Sequence, residues 1–100
     1  MKLDDDKRYF IQVFNENDWN KLIKYLYSLG FRWNGGFSVD YEKEHNVLFI
    51  NVDGTQQLTY DSEKYFRKHY NDRLYSYDEF MHELTISDKL EEALKIIYHD

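Results

Sequence analysis

NVLFINVDGTQQLTY, residues 46–60, sets two runs of strand-forming residues around an Asp-Gly pair. Read as "NVLFINV" (46–52), "DG" (53–54) and "TQQLTY" (55–60), it predicts a β-hairpin. The Asp53-Gly54 pair suits a type I′ turn, whose twist matches that of the flanking strands. Two antiparallel strands at the centre of the chain leave the rest to be laid beside them or across them.

Upstream, "RYFIQVF" (8–14) is rich in aromatic and β-branched residues. Phe10, Gln12 and Phe14 alternate with Tyr9, Ile11 and Val13, and both sets carry apolar side chains, which predicts a strand covered on both faces. A helix follows. Asn15 is its cap, Asp18 takes the capping-box position with a shorter arm than Glu, and Phe14 is placed to staple onto Trp19. Trp19, Leu22, Ile23, Leu26 and Leu29 recur at helical spacing, with Asn20, Lys21, Lys24 and Ser28 opposite. Gly30 stands where a left-handed residue ends a helix, and Phe31 can fold back on Leu26 in a Schellman closure. "FRW" (31–33) then predicts a short strand, "NGG" (34–36) a turn at positive φ, and "FSVDY" (37–41) a resumed strand.

Downstream of the hairpin, "DSEKYFRKHYND" (61–72) is open between a loop and a short helix capped by Ser62. "LYSYDEFMHEL" (74–84) predicts a brief extended piece and then a helix from a capping box of Ser76 and Glu79. "TISDKLEEALKIIYHD" (85–100) predicts a last helix with Leu90, Ala93, Leu94 and Ile97 on one face. The order is β-α-β-β-β-(α)-α-α. That is an α+β fold, a small, mostly antiparallel β-sheet with helices packed on it, in a single domain over 1–100.

Composition narrows the function. There are 100 residues with seven Phe, ten Tyr and two Trp, so large side chains must build the core of a short chain. Without cysteine there is no disulfide, thiolate zinc site or cysteine nucleophile. The start, "MKLDDDKRYF", has acids where a signal peptide has its apolar core, and no apolar run approaches a membrane span. A soluble, cytoplasmic protein is expected. With 13 basic against 19 acidic residues the net charge is −6, which opposes direct nucleic-acid binding, since phosphates need a basic stripe.

Few residues suggest catalysis. The glycines of "SLGFRWNGGF" (28–37) do not precede a helix, as a phosphate-cradling loop would, so a turn is the stronger reading. Glu79 and His82 share a helix face, but a di-iron bundle would need a second such pair. No serine stands in a nucleophile elbow. No cofactor and no metal are expected. The acid-rich stretch 76–92 is more suggestive. Asp78, Glu79, Glu83, Glu91 and Glu92, interleaved with Tyr75 and Tyr77, would fit an arginine-rich groove. The plainer alternative is a solvated helix face.

"YLYSLGFRWNGG" (25–36), "LTY" (58–60) and "YSYDEF" (75–80) resemble, in kind and order, a loose group of small phage and prophage accessory proteins. The Lys/Asn/Tyr-rich, cysteine-free composition is similar too. Many such proteins, anti-CRISPR proteins among them, act by binding a host protein. The resemblance implies a non-enzymatic, phage-type protein that inhibits a bacterial nucleic-acid-handling defence protein, such as a nuclease with a basic groove, in the host cytoplasm. It assigns no contact residue. The surface acids give one version of the contact, acidic mimicry of DNA. A second reading is a small-ligand protein, for instance a sponge for a nucleotide signal, with Arg32, Trp33, Gly35 and Gly36 clasping phosphate and base. A structural accessory protein is the third.

Overall fold

A computed structural model describes residue 3 and residues 7–36, 38–52 and 55–84. Its elements are β1 (Arg8–Gln12), α1 (Glu16–Ser28), β2 (Arg32–Trp33), β3 (Val47–Asn51), β4 (Gln57–Asp61), α2 (Glu63–His69) and β5 (Leu74–Ser76), followed by a helix α3 whose described residues are 77–84. The class is the expected α+β.

The five strands form one mixed sheet in the order β2-β4-β3-β1-β5. Its centre is antiparallel. β3 and β4 make the hairpin, from Val47↔Asp61 to Asn51↔Gln57, and β1 lies antiparallel on the other side of β3, with Phe10 opposite Phe49. Both edges are parallel, β2 on β4 and β5 on β1. The ladder between β3 and β4 is described as far as Asn51↔Gln57, and the Val52 amide donates instead to the Lys7 carbonyl. Asp53 and Gly54, the expected turn pair, lie outside the described residues, as does the predicted last helix 85–100.

Strand alternation divides the apolar residues between two layers. On one face Tyr9, Ile11 and Val13 of the first strand segment meet Leu48, Ile50, Leu58 and Trp33. Trp19, Leu22 and Leu26 of α1 and Phe80 and Leu84 of α3 cover them. On the other face Phe10, Val47 and Phe49 are covered by Phe66 of α2. β1 is thus buried on both sides, as its double apolar pattern predicts.

Local signals account for the helix ends. The Asn15 side chain accepts from the Asp18 amide at 2.8 Å, and Asp18 answers by accepting from the Asn15 side-chain amide at 3.0 Å. Its short arm serves the neighbouring side chain where a Glu would reach the backbone. At the other end the Gly30 amide donates to Tyr27 and the Phe31 amide to Leu26, the paired bonds of a Schellman motif, with Gly30 at φ 96°. α2 starts at Ser62, whose hydroxyl accepts from the Tyr65 amide at 3.1 Å, so the open segment is a helix.

Two expectations are corrected. Phe14 is 67% exposed, so it is no staple, and Trp19 is buried by other rings. In "FSVDY" the described residues 38–41 form no strand. Val39 instead accepts the Trp19 indole N–H at 3.2 Å, and the Tyr41 hydroxyl donates to the Val13 carbonyl at 3.0 Å. The segment wraps over the core as an irregular strap, tied down through the Val39 carbonyl and the Tyr41 hydroxyl.

Candidate functional site

The parallel pairing of β1 with β5 decides what surrounds the acidic stretch. Gln12 lies opposite Ser76, so the two strands end at the same edge of the sheet. Each is followed by a helix on the same face, so α1 and α3 begin there side by side. Helix N-termini carry partial positive charge, which the first-turn acids Glu16, Asp18, Asp78 and Glu79 complement.

Within this edge the predicted acids fall into two groups. Ser76 and Glu79 form the expected capping box. The Glu79 amide donates to the Ser76 hydroxyl at 3.1 Å, and the Ser76 amide to the Glu79 carboxylate at 3.3 Å. Arg73 then draws Glu79 and Glu83 together, its Nη2 lying 3.1 Å and 3.2 Å from their carboxylates. The same guanidinium sits 4.0 Å over the Tyr75 ring, which packs in turn against Phe80. Tyr75, Glu79 and Glu83 are therefore one knot around a cation, and two of the expected contact acids are partly neutralised. Sequence reading missed Arg73, because its partners stand six and ten positions away and are reached only once β5 turns into α3.

The second group lies with the start of α1. Tyr77 is half-buried, and burial first, then the Asp18 and Asp78 carboxylates, raise its phenol above the usual tyrosine value. Asp78 and Glu16 are exposed, and Phe14 lies just before the Asn15 cap. Among the described residues no lysine or arginine is ion-paired with Glu16, Asp18 or Asp78. Glu91 and Glu92 lie outside the described residues.

The Ser76 side chain, then Arg73, then the Ser76 amide hold the Glu79 carboxyl below its ordinary 4.5. A lowered carboxyl binds its proton more readily in the unfolded chain. Its contribution is whole above pH 4.5 and is lost as the pH falls towards the folded value. Urea midpoints measured on either side of pH 4.5 should drop on the acid side, and the drop should be shallower for Glu79→Gln. An equal drop in both proteins would show that Glu79 is not a source of the acid sensitivity.

The structure does not assemble the predicted clasp of Arg32, Trp33, Gly35 and Gly36. Trp33 is 4% exposed and stacked on Trp19 at 6.0 Å, with Tyr60 roughly perpendicular at 5.9 Å, so it offers no open ring to a base. Arg32 folds back onto α1, donating from Nη1 to the Tyr27 and Phe31 carbonyls and lying over the Tyr27 ring. Gly35 and Gly36, at φ 96° and 80°, shape the turn closed by the Gly36 amide on the Trp33 carbonyl. Among the described residues no three His, Asp or Glu side chains are disposed to hold a metal, and no helix is long and apolar enough to cross a membrane. The chain matches no known family model, no curated protein and no solved structure.

Proposed function

We propose that this is a non-enzymatic, phage-type accessory protein that binds and inhibits a basic, nucleic-acid-handling bacterial protein. Its contact surface is the edge where α1 and α3 begin. The observation that supports this is the in-register parallel pairing of β1 with β5, which sets two acid-bearing helix starts side by side. An exposed Phe14, with Glu16, Asp18, Tyr77 and Asp78 at the same two helix starts, supplies an apolar anchor beside negative charge. That combination suits a basic cleft with an apolar pocket, where charge steers the encounter and the aromatic ring holds it. The contact shifts away from Glu79 and Glu83, which are tied to Arg73.

The test is capture from bacterial lysate with the tagged protein. The wild type should retain a basic protein in a salt-sensitive manner, and added nucleic acid should compete for it. Phe14→Ala with Glu16→Lys and Asp78→Lys should abolish retention. Glu42→Lys with Glu44→Lys, on the exposed loop before β3, should not. Retention by the first variant equal to wild type would refute this surface, and loss in both variants would reduce it to net charge.

A further inference from the structure

We infer that the groove between α1 and the irregular strap after β2 binds a small zwitterion of the α-amino-acid type with an apolar side chain. It has a volume of about 260 Å³ and is floored by Trp33. Ile23 and Tyr27 of α1 line one side and Val39 the other, with Lys24 and Asp40 among its lining residues. The inference is independent of the acidic edge.

The indole N–H of Trp33 carries the argument. It is a fully buried donor without an acceptor, on a residue only 4% exposed. Buried donors are almost always paired, and an exception calls for an explanation. Trp19, stacked on the same ring, shows the ordinary outcome, because its N–H reaches the Val39 carbonyl. An acceptor entering with a ligand would satisfy Trp33 in the same way. To seat it a wall must yield slightly, and the strap at 38–40, which has no ladder bonds, is the wall able to do so.

The lining then selects the ligand class. The groove is too small for a nucleotide, and Trp33, 4% exposed with one face stacked on Trp19, offers no open ring for a base. Lys24 and Asp40 are both exposed, and neither is ion-paired among the described residues. One cation and one anion disfavour a simple anion and suit a ligand carrying both charges. Its carboxylate would take the Lys24 ammonium and the Trp33 N–H, its ammonium Asp40, and its side chain Ile23 and Val39.

The chain has only two tryptophans, so an amide-correlation spectrum of ¹⁵N-labelled protein shows two indole N–H signals, assignable by through-bond correlation. Titration with L-leucine should move the Trp33 signal downfield as its N–H gains an acceptor. Lys24→Ala and Asp40→Asn, at exposed positions that leave the fold intact, should each weaken the titration about tenfold, the loss of one charge-assisted hydrogen bond. 4-Methylpentanoate and isoamylamine, each lacking one charged group of leucine, should weaken by a similar factor. A Trp33 signal unmoved by leucine, valine, isoleucine and methionine would overturn the site. Titration of either variant as strong as that of the wild type, or 4-methylpentanoate binding as well as leucine, would overturn the zwitterion.

Discussion

Replacing Trp19 with alanine is expected to cost about 3–5 kcal/mol, the range for deleting a large buried aromatic. The side chain is 0% exposed and lies at the meeting point of α1, the strap and the sheet. Its ring stacks on Trp33 at 6.0 Å and meets the edges of Tyr41 at 5.7 Å and Tyr60 at 6.3 Å. Alanine empties that volume and also deprives the Val39 carbonyl of its donor. A domain of this size has about 5–15 kcal/mol in all, so the loss takes a large share of it. Urea unfolding followed through Trp33 fluorescence should show a much lower midpoint. Trp19→Phe should recover part of it, since one aromatic ring is kept while the second ring of the indole and its N–H are lost. A midpoint unchanged by the alanine substitution would mean that the ring cluster is not what holds α1 to the sheet.

Phe10→Ala should do comparable damage from the opposite layer, again about 3–5 kcal/mol. Phe10 is 0% exposed and lies within 4.9 to 5.1 Å of the rings of Phe49, Phe66 and Tyr70. α2 has seven residues, too few to persist alone, and Phe66 is its buried anchor. Removing Phe10 takes away the floor beneath that anchor. Hydrogen exchange should therefore show the α2 amides opening well before those of β3 and β4. Should they stay as protected as the sheet, the helix has support beyond this cluster. The two substitutions act on opposite faces of β1, so their effects should nearly add.

The features legible in the sequence are those closed within a few residues. Asn15 with Asp18, Gly30 with Phe31 and Leu26, and Ser76 with Glu79 each complete their bonds inside one turn of chain. The two apolar sets of 8–14 likewise announced a strand in the middle of a sandwich. What pattern reading missed depends on distant chain. Parallel edges, the strap over Trp19 and the capture of Glu79 and Glu83 by Arg73 all follow from the sheet order, which no local spacing encodes. The candidate site shared this fate. Tyr77 and Asp78 were named, but Asp18 and Phe14 join them only because β5 lies beside β1.

That late-arriving strand has a bearing on synthesis. Until Leu74–Ser76 has left the ribosome, the sheet being assembled from β1, β3 and β4 ends in β1, with the row of backbone groups at Phe10–Gln12 unclaimed. An apolar strand with an open rim is what a nascent chain most readily pairs with a neighbour's. A three-residue strand therefore acts as the stopper of the fold, and slowing its delivery should raise the share of chains lost to aggregation.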